Sequence, residues 1–404
     1  MTKKIIYYAS IAASVILLIL GYLYVSGGKN PFGPDVEHES YTRAKVLEVT
    51  DVVETQLDDD GDFIDTTYYF TVLLTSGENK GETLTVTQDI SNYIPYNPRP
   101  VSTGDKVIIT QSIIGDETSW NFAEYVRSDT IIVLGILFCI ALVVFGKIKG
   151  LKTLFTLILT IGAVFFVLVP AIITGHNIYV FTILVCLYIT AMTLVTVNGL
   201  SDMSLVAGLG CMGGVLISAV ITLLSDIFMK LTGFTDEHAI YIQGIGDGNI
   251  DMKALIFAGI LVGSIGAVMD VAVDIAASLK EICRKVEKPT FRELYKSGIT
   301  ISRDVIGTMS NTLILAYIGS SLCSVLLIIY NNSFSMLNLF NKENIITEIL
   351  KILVGSFGIL SALPLTSAIS AFFYSRRHGK DNETPTEEKD DYVELLESIE
   401  NDKK

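Results

Sequence analysis

Residues 253–277, KALIFAGILVGSIGAVMDVAVDIAA, form the most informative stretch of this chain. After Lys253, the only charged side chains in the stretch are Asp270 and Asp274. A helix needs about 20 apolar residues to cross roughly 30 Å of hydrocarbon, and this stretch is long enough to do so. The sequence therefore predicts a membrane-spanning helix here.

Seven further apolar runs are long enough to cross a bilayer. They cover approximately residues 5–26, 130–146, 153–174, 178–197, 204–224, 304–330 and 349–374. The run 5–26 starts like a signal peptide, but it exceeds the roughly 7–15-residue apolar core of such peptides, so we interpret it as an uncleaved anchor. Cleavage would leave seven spans. We predict an α-helical polytopic membrane protein with about eight transmembrane helices.

The basic residues near the predicted spans indicate an orientation. With the N-terminus inside, 15 Lys and Arg residues face the cytoplasm and 4 lie near the outer ends of spans. Lys and Arg favour short cytoplasmic loops. We therefore expect a multi-pass protein of the bacterial cell (plasma) membrane with cytoplasmic N- and C-termini.

The formal net charge of −14 is unevenly distributed. Residues 33–128 carry −12, residues 381–404 carry −7, and the remaining residues carry +5. An acidic chain of this kind is a poor match for the phosphate backbone of a nucleic acid, so we expect no nucleic-acid partner. The lipid bilayer is the partner that the composition predicts directly.

Residues 28–128 differ from the rest of the chain and predict a small all-β extracytoplasmic domain, a barrel or a sandwich, inserted between helices 1 and 2. Its alternating, Val-, Thr- and Tyr-rich segments include Tyr41–Val49, Thr66–Leu74, Glu82–Thr87 and Lys106–Ser112. The predicted organisation is an anchor helix at 1–27, the β-domain at 28–128, a seven-helix membrane domain at 129–377 and an acidic cytoplasmic tail at 378–404. The tail is too polar to form a core.

The sequence predicts no enzyme active site, cofactor or metal site. The five cysteines form no CxxC pair, and Asp236-Glu237-His238 lacks HExxH spacing. Asp58–Asp62 is a solvated hairpin tip in our interpretation, with a calcium site as the alternative, because its glycine is not placed as in an EF-hand. No nucleophile, base and orienting group occur together. An aspartyl protease using Asp270 and Asp274 is the weakest alternative, because both lie on one helix.

Within the stretch 253–277, glycines and carboxylates share one helical stripe. At 3.6 residues per turn, Gly259, Gly263, Gly266, Asp270 and Asp274 lie on the same side. Glycines permit close helix approach, and ionisable side chains inside a membrane are costly and often functional. We expect the stripe to face packed protein, with Asp270, the deeper carboxylate, as the better candidate for a proton or ion relay.

The run 304–330 has an unusually polar start. Arg303, Gly307 and Asn311 share one side, and Thr308 adds a hydroxyl that extends a hydrogen-bonded path. Facing the Asp270 stripe, Arg303 would reduce the cost of burying a carboxylate. The alternative is that these residues only hold helices together, with Arg303 as a positive-inside anchor.

These residues carry a resemblance to the YibE/YibF-like family of bacterial multi-span membrane proteins, over nearly the whole chain. The matching segments are Gly81-Glu82, Gly104–Val107, Tyr125–Arg127, Gly266–Asp274, Ser302–Tyr317 and Leu353–Ser356. The resemblance implies the same membrane architecture with an outer β-domain and supplies no mechanism.

The chain is also similar, more weakly, to one half of a SecD/SecF-type permease of the RND superfamily. Gly266 and Asp270 match a Gly-x-x-x-Asp motif, and Ser302, Arg303, Val305 and Thr308 approximately match a Ser-Arg-x-Ile-x-Thr motif. This similarity implies that Asp270 and Arg303 form a proton relay and that the chain needs a homo- or hetero-oligomeric partner. The chain departs from such halves in its larger span count and its smaller outer domain.

Two hypotheses follow. The first is a membrane transporter or transport-assembly subunit for an unknown substrate or ion, proton-coupled through Asp270, Asp274 and Arg303. The second is a non-transporting scaffold that docks partners through its β-domain and acidic tail.

Overall fold

The computed structural model describes residues 2–27, 41–56, 64–77, 79–91, 99–114, 117–235, 239, 241–242, 250–286, 289–323, 326, 330 and 336–381. The chain divides into two compact units, residues 33–145 and residues 1–32 with 146–404. The predicted hairpin tip Asp58–Asp62, the stretch Asp236–His238 and the acidic tail from residue 382 lie outside the described residues.

Most of the described chain is helical. The helices are α1 (Thr2–Ser26), α2 (Ser128–Ala163), α3 (Val169–Ile173), α4 (Ile178–Asn198), α5 (Asp202–Met229), α6 (Met252–Lys285), α7 (Phe291–Ser320), α8 (Met336–Leu339) and α9 (Glu343–Asp381). A short π-helical segment, Val164–Leu168, joins α2 to α3. The prediction of a mostly helical membrane protein with a small sheet region near the N-terminus is confirmed.

Six helical segments of the described chain are long and apolar enough to cross a membrane. They are Tyr7–Ser26, Ser128–Ile173, Ile178–Asn198, Asp202–Met229, Met252–Lys285 and Glu343–Arg376. The predicted runs 130–146 and 153–174 lie in one helical segment that is interrupted at Lys147, where φ is 48° and ψ is −129°. The polar start of the run 304–330 belongs to α7, which begins earlier and carries charges along its first half, so α7 is not among the six.

Side chains at the N-termini explain why several helices begin where they do. The Asn177 side chain accepts from the N–H of Val180 before α4, and the Asp251 side chain accepts from two N–H groups at the start of α6. Thr290 and Glu293 form a capping box at the start of α7. These contacts satisfy N–H groups that have no partner inside the helix.

The helical core is built mainly from α5, α6, α7 and α9. Its fully buried side chains include Val215, Val268, Ile275, Ile359 and Leu363. Glycines let these helices approach closely: a Cβ added at Gly214 would lie 2.8 Å from the Gly358 carbonyl oxygen and 2.9 Å from the Ala362 Cβ. Small residues at such contacts are typical of helices that associate in lipid.

The sheet unit contains five strands. They are β1 (Thr42–Gln56), β2 (Ile64–Leu74), β3 (Thr83–Ser91), β4 (Lys106–Ile114) and β5 (Glu117–Tyr125). Their hydrogen-bonded order is β1-β2-β3-β5-β4, and β4 pairs with β1 to close the barrel. All pairs are antiparallel except β3 and β5, which meet in parallel at Thr87 and Asn121.

Alternation along the strands produces the barrel core. Val46, Phe70, Val72, Val86 and Val107 are at most 1% exposed. Their neighbours in sequence point outward, as the twofold side-chain period of a strand requires. Register shifts in β1 between Val46 and Glu48 and between Val49 and Asp51 mark bulges, which let a long strand bend around a small barrel.

Candidate functional site

The predicted carboxylates lie on the face of α6 that the chain leaves exposed. Asp270 and Asp274 are both exposed, whereas Val271 and Ile275 on the opposite face are completely buried. The buried face of α6 packs against α5 and α9. The predicted stripe therefore forms one face of α6, but this face is exposed within the chain. The other, apolar face of α6 packs against the neighbouring helices.

The residues predicted on α7 are also exposed. Arg303, Thr308 and Asn311 all lie on exposed positions of the helix. The Thr308 hydroxyl donates to the Val305 carbonyl oxygen at 3.0 Å, which is a bond within its own helix. Among the ion pairs of the described residues, none contains Asp270, Asp274 or Arg303. The structure thus places these side chains on neighbouring helices without joining them within one chain.

The four glycines predicted for helix packing have different surroundings. A Cβ added at Gly259, Gly266 or Gly307 would meet nothing within 4 Å, whereas one at Gly263 would collide with the Tyr317 hydroxyl of α7. Of these four glycines, Gly263 alone mediates a close contact among the described residues.

A row of buried hydroxyl groups on α9 was not predicted from the sequence. Thr366, Ser367 and Ser370 are 0% exposed, and the Ser367 hydroxyl lies 3.5 Å from that of Ser302 on α7, which is also buried. We call these four residues the hydroxyl row. The side chains of Ser302 and Ser367 each donate to a carbonyl four residues earlier in their own helix. The small, hydroxyl-rich run 361–371, SALPLTSAISA, is the signal that could have revealed it.

Two members of the hydroxyl row have no partner in the described part of the chain. The Thr366 and Ser370 hydroxyl oxygens are buried without a hydrogen bond. Thr366 is in direct contact with Gly210 of α5, since a Cβ added at Gly210 would overlap the Thr366 hydroxyl. A buried hydroxyl without a partner is costly, so these two groups distinguish this part of the core from ordinary apolar packing.

The end of α5 and the starts of α6 and α9 carry their own ion pairs. Lys253 lies 3.3 Å from Asp226, joining the start of α6 to the end of α5. Lys351 lies 2.6 Å from Glu348 on α9, and the Ser321 hydroxyl donates to the same carboxylate at 2.6 Å. These contacts leave the charges of α5, α6 and α9 paired at one end of the bundle, in contrast to Asp270 and Asp274.

The β-barrel contains a cleft of about 680 Å³, lined by the ends of β3 and β5. Four carboxylates and two guanidinium groups line it: Asp65, Asp89, Asp105, Glu124, Arg99 and Arg127. Arg127 and Glu124 form an ion pair, with 2.7 Å between the guanidinium nitrogen and the carboxylate oxygen. The cleft is therefore net acidic, like the whole domain.

Gln88 and Tyr125, which line this cleft, hold the backbone of residues 99–101 by hydrogen bonds. The Gln88 amide donates to the Arg99 carbonyl at 3.1 Å and accepts from the Val101 N–H at 3.0 Å. The Tyr125 hydroxyl donates to the same Arg99 carbonyl at 2.7 Å. Burial and the nearby Asp105 carboxylate raise the pKa of Tyr125, so its hydroxyl keeps the proton that this bond needs.

No group of three or more His, Cys, Asp or Glu side chains within the described ranges is arranged to hold a metal ion. The cysteines Cys186, Cys211 and Cys283 are buried. Hydroxyl groups, carboxylates and exposed basic side chains such as Arg303 are thus the chemistry available on α6, α7 and α9.

The family model of YibE/F-like proteins matches residues 134–376 of the chain. The chain belongs to the YibE/F-like family. The matched region runs from α2 into α9 and contains the exposed carboxylates, Arg303 and the hydroxyl row, whereas the β-barrel precedes it. No curated protein and no solved structure matches the chain. None of the comparisons supports the predicted similarity to SecD/SecF-type permeases.

Proposed function

We propose that this YibE/F-like protein is a membrane transporter or a transport-assembly subunit, coupled to protons through Asp270. The observation that carries the proposal is the position of Asp270, in the interior of an apolar 34-residue helix, exposed and with no ion pair within the described residues. An ionisable group at membrane depth is expensive, and such groups usually serve ion or proton pathways.

In this proposal Asp270 takes up and releases the proton. Asp274 lies one helical turn away on the same face, and Arg303 and Thr308 lie on the neighbouring helix α7. Arg303 favours the charged form of a carboxylate whenever it approaches one, and Asn311 and Thr308 offer hydrogen bonds along the path. The substrate in this proposal is an unidentified small molecule, ion or polypeptide.

The proposed topology keeps eight spans and both termini in the cytoplasm of a bacterial cell. It rests on the concentration of Lys and Arg near one set of helix ends. The acidic β-domain then lies outside the plasma membrane. Cysteine labelling with a membrane-impermeant maleimide tests this arrangement: in a variant without native cysteines, a cysteine placed at Thr50 should react in intact cells and one placed at Lys380 should not.

The proton relay is tested in proteoliposomes that contain a pH-sensitive dye. A potassium diffusion potential generated with valinomycin drives protons inward, and the rate of internal acidification is measured. We expect wild-type vesicles to acidify faster than empty ones, and Asp270→Asn vesicles to match the empty ones. Glu281→Gln is the matched control, because Glu281 is an exposed acid on the same helix but pairs with Arg284 and Lys285 near its end.

A second readout reports the same carboxyl group without any flux. A hydrophobic carbodiimide modifies protonated carboxyl groups inside a membrane, and mass spectrometry locates the adduct. We expect modification at Asp270 that decreases as pH rises. Equal acidification by wild type and Asp270→Asn, together with no adduct at Asp270, would exclude the relay.

The alternative function is a non-transporting membrane scaffold that docks partners through its β-domain and acidic tail. The acidic cleft at the ends of β3 and β5 favours this alternative, because it offers a concave surface outside the membrane helices. The full-length protein in nanodiscs should then retain a partner that the double variant Asp89→Lys, Glu124→Lys loses. Loss of acidification in Asp270→Asn with unchanged partner capture would support transport over scaffolding.

A further inference from the structure

One face of α6 and α7 carries charges of both signs that no partner within the described residues covers. We call it the charged face and define it by Asp270, Asp274 and Arg303 with the glycines Gly266 and Gly307. All five residues are exposed, and a Cβ added at either glycine would meet nothing within 4 Å. The three charged side chains form none of the ion pairs found in the described ranges.

Lipid is a poor cover for such a face. Charged side chains within apolar helices normally face the interior of a bundle and pair with one another. Exposed glycines on a membrane helix are likewise typical of positions where a second helix approaches. The charged face combines both features on two adjacent helices.

The depths of the charges within one chain match those required across a twofold axis. Gly263 of α6 lies against the hydroxyl end of the Tyr317 side chain of α7, so the two residues lie at a similar depth. Because α6 and α7 are antiparallel, Asp274 and Arg303 both lie on the same side of that level along the membrane normal. At 1.5 Å per residue, Asp274 is about 16 Å from Gly263 along α6, and Arg303 is about 21 Å from Tyr317 along α7. A twofold axis along the membrane normal preserves depth, so the same small offset separates Asp274 of one copy from Arg303 of the next. The long arginine side chain can bridge this offset.

We propose that the charged face is the interface of a homodimer, in which α6 of each copy packs against α7 of the other. Arg303 of one copy then pairs with Asp274 of its partner, and the symmetry forms this pair twice, as an isologous interface requires. The open positions at Gly266 and Gly307 let the two helices approach. A second copy is favoured over an unrelated protein because the face supplies both the acid and the complementary base.

The proposal stands independently of transport, because the dimer is measured without any substrate. Wild-type protein in lipid nanodiscs or liposomes is labelled with a fluorophore, and single-molecule photobleaching counts the copies in each particle as the protein-to-lipid ratio falls. We expect two copies for wild type. Asp274→Arg and Arg303→Asp should each weaken the dimer about tenfold or more, since each places like charges opposite one another.

The double variant Asp274→Arg, Arg303→Asp is the decisive measurement. Reversing both charges restores the cross-copy pair, so the double variant should dimerise as wild type does. Size-exclusion profiles and thermal unfolding show whether each variant is folded. A wild-type protein that is monomeric at every ratio, or a folded double variant that remains as weak as the single ones, overturns the proposal.

A pair of glycine variants tests the same face without altering charge. Gly266→Leu fills the open position on the charged face, and Gly135→Leu fills an equally open position on α2. We expect Gly266→Leu to reduce the dimer fraction and Gly135→Leu to leave it unchanged. Equal effects from both substitutions, or no effect from Gly266→Leu, would place the interface elsewhere.

Discussion

The carboxylate of Glu343 at the start of α9 is held by Thr232 in the segment after α5. The Thr232 N–H donates to Oε1 and the Thr232 hydroxyl donates to Oε2, at 2.6 and 2.7 Å. The Gly233 N–H donates to Oε1 as well, at 2.6 Å. Gly233 has a φ of 94°, and a Cβ there would lie 2.5 Å from that of Met252, so this segment is also closely packed against the start of α6. The Glu343 carboxylate thus ties the segment after α5 to the start of α9, and Gly233 packs that segment against the start of α6.

Glu343→Ala should destabilise the helical unit by about 2–3 kcal/mol, because hydrogen bonds to a charged group are stronger than neutral ones and two N–H groups lose their acceptor. The measurement is thermal unfolding of the purified protein in detergent, followed by size-exclusion chromatography. Glu48→Ala, at an exposed position of β1, is the control and should leave unfolding unchanged. Equal stability of both variants would show that the Glu343 bonds are replaced by water without loss.

Gly214→Ala should weaken the contact between α5 and α9. The added methyl group would lie 2.8 Å from the Gly358 carbonyl oxygen and 2.9 Å from the Val268 Cγ1, so the helices must separate. Overpacking of this kind costs about 1–3 kcal/mol. Gly135→Ala, where the methyl group meets open space, is the matched control in the same unfolding assay. A Gly214→Ala variant as stable as its control would contradict the close packing of α5 against α9.

Gln88→Leu should destabilise the β-barrel. Gln88 is 2% exposed, and its amide holds both the Arg99 carbonyl and the Val101 N–H. Leucine keeps the volume but leaves the buried Val101 N–H unpaired, which costs about 1–3 kcal/mol. Hydrogen exchange of full-length protein measures the effect, as loss of protection at Val101 and in β3. Thr50→Val, which removes an exposed hydroxyl that donates to the Tyr69 carbonyl, is the control and should have little effect.

The hydrophobic pattern predicted the helices and strands because the spacing of apolar residues can be seen within a short stretch of sequence. The stripe of Asp270 and Asp274 lies on one face of α6, and the strand Thr66–Leu74 falls within β2. The helix α7 was harder to place, because its first half is charged and its apolar part is short. Its beginning at Phe291 depends on the Thr290 and Glu293 capping box rather than on hydropathy.

The sequence could not show which face of a membrane helix meets the rest of its own chain. In water, the apolar face of a helix is the buried one. In lipid, an apolar face can lie equally well against other helices or against the lipid tails. We expected the Gly266 and Asp270 stripe to face packed protein, and within the chain it is exposed. Gly210, Gly214 and Gly358 lie at close contacts of the core, and the hydroxyl row beside them appears only when α7 and α9 are brought together.

The capping box of α7 predicts a pH-dependent stability for the first turn of that helix. The Thr290 hydroxyl donates to the Glu293 carboxylate at 2.8 Å, and the Thr290 N–H donates to it at 3.2 Å. These hydrogen bonds hold the pKa of Glu293 below its usual value. A carboxyl group with a lowered pKa in the folded state stabilises that state above its unfolded pKa of about 4.3. The contribution is lost as pH falls through the lower, folded pKa.

Hydrogen exchange of residues 291–296, corrected for the intrinsic effect of pH, measures this local stability. Glu293→Gln should lower protection at pH 7 and make little difference once pH falls below the folded pKa of Glu293, where the wild-type side chain is also neutral. Thr290→Ala should lower protection by about 1 kcal/mol near neutral pH, because the N-cap acceptor for the Glu293 N–H is gone. Arg292→Gln, beside the box but with no part in its bonds, serves as the control. A difference between wild type and Glu293→Gln that stays constant from pH 7 to pH 3 would show that the charge of Glu293 does not contribute to the cap.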